Sequence, residues 1–296
     1  MSQKLLLIVN PISGKMKAKN ELMRICKTFC DAEYSVNVHI TRCRGDAIRE
    51  VVENGKNFDT IVACGGDGTL NEVVTGALRS QFIGTLGFLP CGTTNDLAES
   101  IKIPRNLGKA AELITYGAPR FLDFGNFNHN RYFTYVASFG AFTDVSYSTD
   151  QKLKNVLGHA AYVTEAIAKL KDLRAYHMKV TCDENTVEGD FLFGAVANSL
   201  SIGGVMKLKK DQVDLSDGLH EVILIRNPKN AQDLANLSRE MLSGNYENQS
   251  VLFFKGKKIQ FQCDEAIPWC VDGEYAGAHE KTKISNIHHK LRIICP

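Results

Sequence analysis

No stretch of this sequence approaches the roughly 18 consecutive apolar residues that a membrane-spanning helix requires. The first apolar run, LLLIV at residues 5–9, is too short for the core of a secretory signal. The expectation is a cytoplasmic protein, peripheral at most to a membrane. An excess of one charge is lacking too. Lys and Arg number 35 against 33 Asp and Glu, a net charge of +2. That balance argues against a broadly basic nucleic-acid binder and leaves only local patches to attract an anionic surface. There is no internal repeat of about 20–50 residues and no low-complexity segment. The nine cysteines lack a disulfide-framework spacing, and their odd number argues for free thiols in a reducing compartment. Cys26 and Cys30 share a helix face, but no CxxC or HxxxH nearby supplies further metal ligands. They read as small buried hydrophobes.

What is present is a regular alternation over the first 120 or so residues. Strand patterns at 5–9, 35–41, 59–64 and 84–90 are interleaved with helix patterns at 20–30, 46–55 and 69–78. Two further helices, at 95–101 and 107–117, flank Pro104. Such alternation predicts βαβ units around a parallel sheet covered on both faces. After about Leu122 the texture changes. RYFTYVAS, AYHMKVTC, GDFLFGAVAN, HEVILIR, SVLFFKG and KKIQFQC read as successive strands, with helices only at 157–171 and 230–242.

The stretch CGGDGTLNEV, residues 64–73, sits where the third strand feeds a helix. Glycines there let backbone N–H groups approach an oxyanion, and the helix start adds the positive end of its dipole. An aspartate inside a phosphate cradle repels phosphate unless a divalent cation bridges them. The stretch therefore suggests a metal–nucleotide site. The dinucleotide fingerprint GxGxxG fails at Asn71, and the P-loop pattern fails at Val9 and Met16. NPISGK (10–15) and PCGTTND (90–96) follow the first and fourth strands. Right-handed crossovers bring all three loops to one edge of the sheet.

In this order NPISGK, GGDGTLNEV and PCGTTNDLA resemble the diacylglycerol kinase catalytic-domain family, which includes bacterial lipid kinases and the sphingosine and ceramide kinases. The resemblance continues through ANSLSIGG (197–204), DLSDGLHEV (214–222), VDGEYA (271–276) and the terminal KLRIICP. It implies an α/β fold: a NAD-kinase-like parallel-sheet domain followed by a β-sandwich domain. The expected boundaries are 1–122 for an ATP-binding domain, with a strand at about 289–296 returning to it, and 123–288 for a lipid-substrate domain. Two departures stand out: Thr94 replaces a glycine usual in the family, and His220 replaces a leucine.

The chemistry so implied is phosphoryl transfer from ATP to a lipid hydroxyl at a membrane surface. By the resemblance, Gly65, Gly66, Asp67, Gly68, Thr69, Leu70, Asn71 and Glu72 surround the nucleotide, and Asp67 organises the catalytic Mg2+. Asn10, Ser13, Gly14, Thr41 and Thr93 complete that site; Thr41 reads equally as a helix-entry cap. Glu274 is implied as general base, with Asp272 as the alternative or as a residue that orients the loop. Asp217, with the backbone carbonyls of Asp214 and Leu219, is implied to bind a structural Mg2+. The basic runs MKLKK (206–210) and KGKK (255–258) are either solvated faces or contacts to anionic lipid. A NAD kinase shares GGDG, and a non-catalytic nucleotide-binding regulator of the same fold is the other alternative. The acceptor lipid stays open between diacylglycerol, sphingoid bases, isoprenoid alcohols and phosphatidylglycerol. The oligomeric state stays open too, a homodimer included.

Overall fold

The computed structural model describes residues 2–140, 174–202, 206–208, 213–243, 245–246 and 249–296. The helix read at 157–171 lies outside these residues. The chain forms two compact units: Met1–Phe124 with Ile287–Pro296, and Gly125–Asn286.

In the first unit, strands β1 (Lys4–Val9), β2 (Ser35–Ile40), β3 (Thr60–Gly65) and β4 (Thr85–Pro90) alternate with helices α1 (Lys17–Asp31), α2 (Asp46–Asn54), α3 (Asp67–Ser80), α4 (Asp96–Ser100) and α5 (Leu107–Tyr116). The strands pair in parallel in the order β2–β1–β3–β4. Helix α1 packs with α5, and α2 with α3. Strands covered on both faces need apolar residues at every position. All of β3 and all but the first residue of β1 are buried. The edge strand β2 keeps Val38 and Ile40 exposed.

The chain passes between the units along two strands, β5 (Ala118–Phe127) and, at the end, β15 (Glu274–Cys295). The last residues of β15 add a parallel strand beside β4, with Arg292 opposite Thr85 and Ile293 opposite Leu86.

The second unit contains β6 (Arg131–Phe133), β7 (Val136–Gly140), β8 (Tyr176–Cys182) and β9 (Asn185–Ala197). After the short pair β10 (Ser201–Ile202) and β11 (Met206–Lys207) come β12 (His220–Arg226), α6 (Ala231–Ser243), β13 (Val251–Gly256) and β14 (Lys258–Val271). The long strands β9 and β14 each pair with both β7 and β8, so these four close on themselves. Trp269 fills the interior, its ring centroid 5.0 Å from Phe261, 5.1 Å from Phe139 and 5.4 Å from Phe127. Such tilted and edge-on pairs add about 0.5–1.5 kcal/mol each beyond area burial. Strand β12 serves two cores. Val222 and Leu224 join the aromatic interior, while Ile223 and Ile225 pack with Leu237 and Met241 of α6.

Two strands differ from the sequence reading. RYFTYVAS is interrupted after Phe133, because the N–H groups of Thr134, Tyr135 and Val136 all donate to the Asp272 carboxylate instead of to one neighbouring strand. The strands read at 257–263 and 290–296 extend to the whole of β14 and β15. The reading of Cys26 and Cys30 as buried is corrected, Cys26 being only partly buried. All nine thiols are free, and Cys30 is exposed rather than buried.

Candidate active site

In the first unit, the loops after β1, β3 and β4 meet at the carboxyl ends of the strands. Asn10 donates through Nδ2 to Thr69 Oγ1 at 3.2 Å. Gly14, at φ +56°, lies so close to Cys91 that an added Cβ would sit 1.6 Å from its carbonyl oxygen. A Cβ on Gly92 would lie 2.7 Å from Gly66 Cα. The third loop is locked by Asn95, buried in the left-handed region at φ +54°. Its amide accepts from Gly92 N–H and donates to Gly92 O. Thr94 Oγ1 donates to Asp67 Oδ2 at 3.1 Å. The residue that departs from the family pattern therefore tethers the carboxylate singled out in the sequence.

Helix α3 starts at Asp67, with Gly66 as its extended N-cap and no side-chain cap. Uncapped N–H groups and the helix dipole favour an anion there. An added Cβ on Gly68 would meet open space, so that glycine leaves room beside the helix start. Thr93 and Gly68 are exposed, whereas Leu70 is fully buried and offers only its backbone. Ser13 opens a short 3-10 turn, its N–H on Asn10 O at 3.4 Å. The Asn71 side chain accepts from Thr75 within α3 at 3.4 Å.

Glu72 does other work than the sequence implied. Its carboxylate accepts from Gly45 N–H at 2.7 Å and Ala47 N–H at 3.2 Å, capping α2 from a distance. Thr41, one turn before that helix, is bound to Val9 O through both N–H and hydroxyl. Beside it Asp46 is 1% exposed. It accepts from Arg49, from Arg42 N–H at 2.9 Å and from His39 at 3.3 Å. The Arg49 guanidinium, then the Arg42 N–H, hold its carboxyl well below the usual carboxylate range, against the opposing effect of burial. Nothing in the motif pattern pointed to Asp46.

In the second unit, β14 turns into β15 through Asp272 and Gly273, both with positive φ. Asp272 is partly buried. Its carboxylate accepts from Thr134 N–H (2.7 Å), Thr134 Oγ1 (2.9 Å), Tyr135 N–H (3.1 Å) and Val136 N–H (3.1 Å). Burial pushes its pKa up while these donors pull it down. A carboxylate so committed is a brace for the turn, which removes Asp272 as a candidate base. Glu274, two residues on, has a side chain 47% exposed. Arg131 Nη2 donates to its Oε2 at 3.0 Å.

Also in this unit, Asp217 Oδ1 accepts from Leu219 N–H at 2.9 Å and Oδ2 from Lys255 Nζ at 3.0 Å. Asp214 accepts from Ser216 N–H and hydroxyl. The donors implied for a cation are all oxygens, the set Mg2+ takes, and Asp217 is partly open to solvent. Lys255 supplies positive charge to the same loop and lies 3.4 Å from the buried Glu221. Burial nevertheless pushes the Glu221 carboxyl up to about 7. Lys255 thus turns inward, against the reading of KGKK as one lipid-facing run; the other run extends beyond the described residues. His220 is fully buried with its ring 5.4 Å from Phe133, and burial drives its pKa down to about 4. It fills the leucine position as a neutral aromatic. Among the described residues, no group of three His, Cys, Asp or Glu side chains could hold a metal. Any cation would therefore need backbone oxygens or substrate oxygens.

Comparison with known proteins agrees with the resemblance. A family model described as the diacylglycerol kinase catalytic domain matches residues 4–127. A second, the YegS C-terminal NAD kinase beta sandwich-like domain, matches residues 136–295. A diacylglycerol kinase of Bacillus subtilis (strain 168) is 31% identical over 292 residues, covering 98% of this chain and 95% of that protein. One from Staphylococcus aureus (strain MRSA252) is 33% identical over 279 residues, covering 94% and 88%. The crystal structure of a putative diacylglycerol kinase from Bacillus anthracis str. Sterne shares the fold, with a TM-score of 0.82 at 24% identity, covering 100% of this chain and 98% of that one. With both halves matched and near-full-length relatives above 30% identity, this chain belongs to the diacylglycerol kinase catalytic-domain family.

Proposed function

We propose that the protein is an ATP-dependent lipid kinase that phosphorylates the hydroxyl of diacylglycerol to give phosphatidic acid. The observation that carries this reading, beside the family, is the glycine cradle with Asp67 inside it. Three loops in van der Waals contact present backbone N–H groups at an uncapped helix start, which suits the phosphates of ATP. In this reading Gly65, Gly66, Gly68 and Thr69 line the phosphate position, and Asn10, Ser13, Gly14, Thr41 and Thr93 complete the nucleotide site.

Asp67 is the residue that would hold the catalytic Mg2+, and Thr94 fixes its carboxylate. When bound, the ion neutralises charge on the phosphates. Asp217 with the Asp214 and Leu219 carbonyls would hold a second, structural Mg2+. Glu274 takes the proton of the lipid hydroxyl as its oxygen attacks the terminal phosphorus and the bond to ADP breaks. A carboxylate is a weak base, but it takes the proton as charge develops on the attacking oxygen. Residues 1–122 with 289–296 then serve ATP, and 123–288 serve the lipid. The reaction is assigned to a membrane surface because the acceptor resides in a bilayer.

The test is a phosphorylation assay across a panel of hydroxyl lipids in vesicles, with products identified by mass spectrometry. Phosphatidic acid from diacylglycerol, in excess over every other product, is the expected outcome. A phosphorylated sphingoid base, isoprenoid alcohol or NAD as the main product would overturn the assignment of the acceptor.

A further inference from the structure

We infer that Arg131 is a positioning residue that aims the Glu274 carboxylate for proton transfer; this rests on the reading of Glu274 as general base. Glu274 follows a tight turn and is 47% exposed. A side chain of that length on an open turn has many rotamers, and ordering it has an entropic cost. Asp272 braces the backbone of the turn from within, through hydrogen bonds to Thr134, Tyr135 and Val136.

Arg131 restrains that carboxylate. Its guanidinium donates from Nη1 to Tyr275 O at 2.9 Å and from Nη2 to Val271 O at 3.4 Å, the carbonyls on either side of the turn. The same Nη2 donates to Glu274 Oε2 at 3.0 Å. The planar fork is thus referenced to the backbone and holds the carboxylate from that reference, a geometry lysine cannot reproduce. Arg131 is itself fixed. It pairs with Phe127 in the β5–β6 hairpin. The tip of that hairpin is tied down by Asn128, whose N–H donates to Lys283 O and whose Oδ1 accepts from Lys283 N–H, both at 2.8 Å. A partly exposed ion pair adds little to stability, so the loss from removing it should fall on turnover.

The experiment uses the full chain with ATP and diacylglycerol vesicles. Arg131→Gln should lower kcat roughly 10- to 100-fold, the range expected when a reacting group is misplaced by about 1 Å. KM for ATP and the melting temperature should stay near those of wild type. Arg131→Lys should keep more activity than Arg131→Gln. In a Glu274→Gln background, adding Arg131→Gln should cause no further loss, because the residue acts through Glu274. Equal loss in both backgrounds would overturn the inference, as would unchanged kcat in Arg131→Gln when Glu274→Gln is inactive. An active Glu274→Gln enzyme would remove the general-base reading and this inference with it. A melting temperature lowered in step with activity in both Arg131 variants would make the residue merely structural.

Discussion

Two carboxylates two residues apart have different surroundings, and the roles proposed for them rest on that difference. The Asp272 carboxylate accepts from Thr134, Tyr135 and Val136, whereas the Glu274 side chain is 47% exposed and accepts from Arg131. Asp272→Asn places an amide against three backbone donors and should destabilise the fold by about 3 kcal/mol, read as a lower urea midpoint. Glu274→Gln should leave that midpoint unchanged and abolish transfer, with a loss of roughly 10²- to 10⁴-fold. A glycine gives a third test. Gly14→Ala puts a Cβ into the Cys91 carbonyl at a left-handed backbone position, so the loops must separate. ATP affinity, measured by calorimetry, should fall by at least about tenfold, the equivalent of 1.4 kcal/mol. Unchanged affinity would mean that the contact between the loops does not shape the nucleotide site.

Helix α2 depends on residues outside itself. Its left-handed N-cap Gly45 offers no side chain, and Glu72 from α3 accepts in its place. Glu72→Ala should lower the stability by about 1 kcal/mol, the usual value of a cap. Asp46 ties the start of this helix to Arg49, Arg42 and His39. Its folded pKa is depressed, so its contribution is present above the ordinary carboxylate pKa of about 3.9 and is lost as pH falls below it. The stability difference between wild type and Asp46→Asn should therefore shrink as pH falls from 6 towards 3. A difference that grows over that range would contradict the ion pairs.

These elements also show what could be read from the sequence. Strands β1 and β3 were legible because burial on both faces demands unbroken apolar runs. Much of β15 was not, since one face of Glu274–Cys295 is exposed and its polar residues hide the strand. The glycine-rich loops after β1, β3 and β4 stood out by composition alone. Asp46 and Arg131 did not, because their roles come from tertiary partners; Arg131 lies 143 residues from Glu274. For Glu72 the family pattern gave no sign of its cap on α2.

At the scale of the molecule, the compact units divide at Phe124 and Ile287, against the 122 and 289 read from the sequence. Each unit carries part of the proposed machinery: the glycine cradle and Asp67 in one, Glu274 and Arg131 in the other. Mg2+ gives a test at this scale. If Asp217 binds the ion in the folded state only, Mg2+ at a hundredfold excess over its Kd adds about 2.7 kcal/mol of stability. The wild-type protein should then melt higher with Mg2+ than with chelator, and Asp217→Ala should lose that difference. Equal shifts in both proteins would mean that Asp217 does not hold the ion. The central claim, lipid phosphorylation with Glu274 as the base, is tested most directly by radiolabel transfer from the terminal phosphate of ATP to diacylglycerol vesicles. Wild type is expected to yield labelled phosphatidic acid, and folded Glu274→Gln to yield almost none; no labelled lipid from the wild type, or equal label from both proteins, would contradict it.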